Sequence, residues 1–194
     1  LEKQVGFTKN YNFVCTGSKT IDHNDNIIED FCNHEPGAAS HFGLCDLFMG
    51  NFVITSSVLV LKSELGSGFN ETGSTNSAED YEMWLKVASK NSIVKIEEPL
   101  VLFRKHMNTS TFDKGDVYAG LLNSVLNILS DYAKSADPEI QYYAKLGMLK
   151  RRKELIDVHI ELGNYLKAAG CYFSFALSVM NLGFLIRFFK RKLR

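Results

Sequence analysis

Two adjacent acids and a cationic pair two residues apart are the positions with the most chemical reach in this 194-residue chain. Glu79 and Asp80 open the run Glu79-Asp80-Tyr81-Glu82-Met83-Trp84-Leu85-Lys86, while Arg104 and His106 close the segment that begins Glu98-Pro99-Leu100-Val101. A carboxylate at the edge of a cleft can take the proton of a hydroxyl as its oxygen attacks carbon. A guanidinium can hold phosphate oxygens, and a neutral imidazole can ligate a divalent metal. Each feature also has an ordinary structural reading. Acids in a first helical turn complement the helix dipole, and an isolated Arg-x-His is commonly a surface cation beside a hydrogen-bonded imidazole.

The acids need a helix to present them, and the local pattern supplies one. Ser77 is a suitable N-cap, and Tyr81, Trp84, Leu85 and Ala88 recur at helical spacing to give a buried stripe. Ser92 to Ile96 and Leu100 to Phe103 read as strands around a turn at Pro99, which would leave Arg104 and His106 on one face of an extended end. Upstream, Leu1 to Phe7 reads as a helix. Tyr11 to Ile21 and Ile27 to Phe31 read as a hairpin about the turn Asp22-His23-Asn24-Asp25-Asn26. Val58 to Leu61 is continuously apolar, as expected of a strand covered on both faces.

After Asp113 the pattern turns helical. Val117, Leu121, Leu122, Val125, Leu129 and Tyr132 form one stripe. Asp137-Pro138-Glu139 marks a new helix start that runs to about Leu162, where Gly163-Asn164 breaks it. The following helix carries Ala169, Phe173, Ala176 and Leu177, and is expected to pack to about Met180. The organisation expected is therefore an α/β part, 1–113, followed by an all-helical extension, 114–194.

Equal numbers of basic and acidic residues, 22 each, give no global field that would point to nucleic acid. The charge is uneven, however, because the last eight residues hold Arg187, Lys190, Arg191, Lys192 and Arg194 and no acid. With Phe184, Leu185, Phe188 and Phe189 beside them, this end fits an interfacial anchor on an anionic membrane surface. Four irregularly spaced cysteines in a chain of this size are expected to be reduced, in a cytoplasmic setting peripheral to the inner face of the cell membrane. Cys32, His34, His41 and Cys45 do not follow a zinc-knuckle spacing, and no Gly-x-Ser-x-Gly elbow surrounds Ser56 and Ser57. There is no Walker loop and no Gly-x-Gly-x-x-Gly.

Taken in order, Gly50-Asn51-Phe52-Val53-Ile54-Thr55-Ser56-Ser57-Val58-Leu59-Val60, which is similar to the acceptor-side strand, Gly68-Phe69-Asn70-Glu71, Glu79-Asp80-Tyr81-Glu82-Met83-Trp84-Leu85 and Glu98 to His106 resemble the C-terminal half of the family 2 glycosyltransferases. That resemblance covers residues 1 to about 112, and Leu1-Glu2-Lys3-Gln4-Val5 is similar to the helix after the family's metal-binding acidic motif. It implies a partial GT-A sheet and transfer of a sugar from a nucleotide-diphospho-sugar to a saccharide or lipid-linked acceptor with inversion, in cell-surface polysaccharide synthesis. By the same resemblance Asp80 is the general base and Glu79 orients it or binds acceptor. Arg104 and His106 serve the donor diphosphate, and a divalent cation, Mn or Mg, assists with His106 as a ligand. Trp84 is expected to pack its helix on the sheet rather than to touch sugar.

The family's Asp-x-Asp motif and nucleotide-binding strands are missing from this sequence, so it reads as a piece of a longer protein and no turnover is expected of the 194 residues alone. The helical end is similar to a tetratricopeptide-type hairpin and is expected to pack on the catalytic part or on a partner. The competing reading is a non-catalytic helical adaptor on a degenerate transferase scaffold. A hydrolase would need a second catalytic acid about 5–10 Å from Asp80, which no local spacing provides.

Overall fold

The computed structural model describes residues 1–30, 37–71, 78–105 and 115–192, with the side chains of Asp30 and 181–192 left aside. The chain is α/β, with a mixed open sheet and six α-helices among the described residues. In order these are α1 (Glu2–Phe7), β1 (Phe13–Ile21), β2 (Ile27–Asp30), β3 (Ala39–Phe42), α2 (Leu44–Met49), β4 (Leu59–Val60), α3 (Glu79–Ala88), β5 (Ile93–Arg104), α4 (Asp116–Tyr132), α5 (Pro138–Glu161) and α6 (Tyr165–Lys192). Two compact units result. One holds α1, α3 and the five strands; the other holds Phe48–Gly50 and the long helices α4, α5 and α6.

In the first unit β1 is the central strand and is buried along almost its whole length. It runs parallel to β5 from Phe13↔Ile93 to Ile21↔Arg104. On its other edge it pairs antiparallel with β2 near its end and with β4 at Phe13 and Val14. β3 adds to the far side of β5, antiparallel, from Ala39↔Ile96 to Phe42↔Ile93. The hairpin expected about Asp22–Asn26 is therefore present. Its tip is shaped by Asp22, whose carboxylate accepts hydrogen bonds from the Asn24 and Asn26 amides at 2.7 and 2.9 Å. Asp25 takes the left-handed conformation, φ 67°, which a short Asx side chain tolerates.

Two strand expectations are corrected. Pro99 does not turn the chain: Ile93–Arg104 is one strand, with Pro99 opposite Gly17 and register shifts on either side of that glycine. The reason is that β3 pairs only as far as Ile96, so Pro99 lies where its missing N–H leaves no ladder bond unmade. Val58 to Leu61 is likewise not a strand covered on both faces. Only Leu59–Val60 pairs, short 3₁₀ turns at Thr55–Ser57 and Lys62–Leu65 flank it, and Leu61 is exposed. At the sheet edge this segment receives just the first two residues of β1 as partners.

The second unit is a three-helix arrangement. Asp137 caps α5 as its sequence anticipates, accepting from the Glu139 and Ile140 amides, with Pro138 at the first helical position. Ala119 and Leu122 of α4 pack with Leu155 and Val158 of α5, and Cys171 of α6 joins them. The α4 stripe is set differently from expectation: Leu122, Val125 and Leu129 are buried, with Ala119, Ser124 and Ile128, whereas Val117 is exposed. α6 is one continuous helix through Lys192 rather than a helix ending near Met180. It turns Ala168 and Cys171 inward, while Phe173 and Leu177 face outward. Arg152 on α5 sets this face by donating to the Ser174 carbonyl at 3.0 Å and to the Ser178 hydroxyl. No helix among the described residues is long and apolar enough to cross a membrane.

Candidate functional site

Glu79 and Asp80 occupy the first turn of α3, where four backbone N–H groups lack intrahelical partners. Glu79 is exposed, and Asp80 is half-buried. Asp80 Oδ1 accepts the N–H of Tyr81 at 2.6 Å, satisfying one of those donors. Its Oδ2 accepts the hydroxyl of Thr55 at 2.8 Å, from the 3₁₀ turn before β4. The carboxylate is thus held on both oxygens by groups from two parts of the chain, and a half-buried surface leaves it open to solvent. An anion so placed can accept a proton from an incoming hydroxyl without first reorganising.

The helix that presents Asp80 is anchored by its other side. Tyr81, Trp84, Leu85 and Ala88 are buried as their spacing predicts, and Met83 and Val87 are buried with them. Trp84 packs against Phe13 of β1, ring centroids 5.3 Å apart, and meets Phe69 edge-on at 5.9 Å. This is a packing role, and the buried indole N–H has no hydrogen-bond partner among the described residues. The Tyr81 hydroxyl donates to the Leu47 carbonyl at 2.9 Å. Asn70 donates to Glu82 at 3.0 Å, and Lys86 pairs with the same carboxylate at 2.7 Å. Burial pushes the Glu82 carboxyl up, but the hydrogen bonds from Lys86 and Asn70 and the Lys86 charge outweigh it and hold the group below its ordinary range. The Gly68-Phe69-Asn70-Glu71 segment therefore meets α3 through Phe69 and Asn70.

The floor under Thr55 is also built. Gln4 of α1, buried, donates to the Ser57 carbonyl at 2.8 Å, and the Ser57 hydroxyl lies 3.5 Å from the Thr16 amide nitrogen, as acceptor. These contacts tie the 3₁₀ turn to α1 and to the middle of β1.

Arg104 is engaged elsewhere. Its guanidinium donates to the Asp22 carbonyl at 2.8 Å and to the Asp25 carboxylate at 2.5 Å, so it clasps the tip of the β1–β2 hairpin from the end of β5. Among the described residues no hydrogen bond or ion pair joins Asp80 to Arg104. His106 lies outside the described residues, as do Ser77, Cys32 and His34. His41, on β3, meets the Tyr11 ring at a tilt of 49°, with centroids 5.3 Å apart. No group of three or more His, Cys, Asp or Glu among the described residues is arranged to hold a metal ion.

Thr55 is the residue that sequence reasoning left without a role. The Thr55-Ser56-Ser57 run stands out as a set of hydroxyls, but the usual search among such residues is for a nucleophile. A search for a hydroxyl that could orient a carboxylate would have marked it. No protein-family model matches the chain, and no curated protein sequence matches it.

Proposed function

We propose that this chain carries the acceptor side and the catalytic base of an inverting glycosyltransferase with a GT-A type sheet, using a nucleotide-diphospho-sugar in the synthesis of a cell-surface polysaccharide. The observation that supports this reading best is the Asp80 carboxylate, accepting from Thr55 and from its own helix while still open to solvent. Asp80 takes the proton of the acceptor hydroxyl, and the freed electron pair of that oxygen forms the bond to the anomeric carbon. The bond from that carbon to the diphosphate oxygen breaks, and its electron pair leaves with the nucleoside diphosphate. A single displacement of this kind inverts the anomeric centre. Glu79, exposed one residue earlier, is placed by sequence to receive other acceptor hydroxyls.

The resemblance also brings a divalent cation, Mn or Mg, which when bound supplies charge neutralisation at the departing diphosphate. Among the described residues no group of three or more His, Cys, Asp or Glu is arranged to hold it, and no step above runs through it. Arg104 serves the donor in this reading only by exchanging its hairpin contacts for phosphate oxygens. The test is a transfer assay on the full-length protein with nucleotide-diphospho-sugars, reading the anomeric configuration of the product by NMR. Inverted product supports the proposal. Retained configuration, or no transfer with any donor and acceptor pair, favours the adaptor.

A further inference from the structure

Among the described residues, the outward face of α6 has no partner that would explain its composition. Leu166 is 93% exposed, Met180 72% and Phe173 66%, and Tyr165, Tyr172, Leu177 and Val179 are exposed with them. A continuous apolar surface over four turns is unusual on a helix facing water. Between Lys167 and Arg187 the helix carries no charged residue at all. Its last two turns then hold Arg187, Lys190, Arg191 and Lys192, and the following Arg194 continues the series.

The opposite face is committed. Ala168 is buried, Cys171 joins the α4–α5 core, and Ser174 and Ser178 are held by Arg152. A helix gripped on one side by polar bonds to its neighbour is not free to be surrounded by lipid, which leaves a surface-lying arrangement as the one compatible with its packing. Apolar bodies with polar tips, as at Tyr165 and Tyr172, suit the boundary between acyl chains and headgroups. The charge decides the occupant: five basic residues without an acid complement an anionic surface, and repel a parallel second copy.

We infer that α6 docks the protein on the surface of an anionic lipid bilayer, inserting the face that carries Leu166, Phe173 and Met180 and setting the basic C-terminal turns among the headgroups. This stands on α6 itself and does not depend on the glycosyl-transfer reading.

The test is sedimentation of the 194-residue protein with phosphatidylcholine vesicles, with and without phosphatidylglycerol. The wild type should pellet with the phosphatidylglycerol vesicles, and added salt should weaken this. The Leu166→Gln, Phe173→Gln and Met180→Gln triple variant touches only exposed side chains, so it should keep its circular dichroism yet stay in the supernatant. The Arg187→Gln, Lys190→Gln and Arg191→Gln variant should lose roughly fivefold in partitioning for each base removed, and with it the preference for phosphatidylglycerol. Wild-type protein left in the supernatant with both vesicle types overturns the inference. So does a triple variant that pellets like wild type, or light scattering that shows a dimer dissolved by those substitutions.

Discussion

The same substitution at two helical glycines should move stability in opposite directions, because only one of them has room for a methyl group. Gly120, in α4, has no described atom beyond its own turn of helix within 4 Å of where a Cβ would stand. Gly120→Ala therefore gains helix propensity alone, about 0.5–1 kcal/mol. Gly147, in α5, is buried, and a Cβ there would stand 2.4 Å from the Phe48 carbonyl oxygen and 3.3 Å from Leu129 Cδ1. The obstacle is backbone, not the movable tip of a side chain, and Phe48 is itself packed on Tyr132 at 5.2 Å. Lys150, one turn along α5, donates to the adjoining Met49 carbonyl at 2.7 Å and fixes the same segment. Overpacking costs about 1–3 kcal/mol, and a clash with fixed backbone belongs at the top of that range. Less the roughly 1 kcal/mol of propensity, Gly147→Ala should lose about 2 kcal/mol. Urea unfolding followed by far-UV circular dichroism reads both. With a slope of about 2 kcal/mol per molar, the midpoint should fall by roughly 1 M for Gly147→Ala and rise by roughly 0.25–0.5 M for Gly120→Ala. A Gly147→Ala protein as stable as wild type would refute the close approach of α5 to the Phe48 carbonyl.

Other consequences can be measured, the kinetic one on the full-length protein. Thr55→Val removes the hydroxyl that orients Asp80 and should lower kcat about tenfold with KM little changed, while Thr55→Ser retains activity; an equal loss in both variants would remove Thr55 from a positioning role. Glu97, buried and paired with Lys95 at 3.0 Å, should cost about 3 kcal/mol when changed to Ala, since the Lys95 ammonium, largely buried itself, loses its counter-charge. Burial raises the Glu97 carboxyl, but hydrogen bonds from Ser40 and Lys95 outweigh it and hold it below the ordinary range. Its contribution is therefore full above the unfolded carboxylate value and is lost as pH falls through the depressed folded one, so the Ala variant should show a flatter acid-unfolding curve. Burial pushes the Cys15 thiol up to about 12. Stability from keeping it neutral is full below the unfolded value of 9.0 and drains away as pH climbs toward 12. A thiol reagent at neutral pH should leave Cys15 unmodified until the protein is denatured, which peptide mapping would check.

The parts of the fold legible in sequence are those decided within a few residues. The α3 stripe, the turn at Asp22–Asn26 and the Asp137 cap are local matters of spacing, Asx chemistry and a missing proline N–H. What failed depended on neighbours distant in sequence. Pro99 reads as a turn until β3 is known to stop at Ile96, and Val58 to Leu61 reads as a central strand until it is found at an edge. The packed side of α6 could not be read from its apolar residues, because they surround the helix and Arg152, on another helix, selects the side. At the candidate site the acids at a helix start were visible. Their partner Thr55 lies 25 residues away and the hairpin grip on Arg104 spans 82, contacts that only the folded chain brings about.

The most direct test of the account is the single-turnover rate of sugar transfer by the full-length protein with Asp80 replaced by Asn. The side chain keeps its size, its oxygen can still accept from the Tyr81 amide, and its NH2 can donate to the Thr55 hydroxyl, which turns to accept, so circular dichroism and the fluorescence of Trp84 should be unchanged. With the base removed, the rate should fall about 10²–10⁴-fold. A folded Asp80→Asn protein that transfers sugar at the wild-type rate would contradict the assignment of Asp80 as the base.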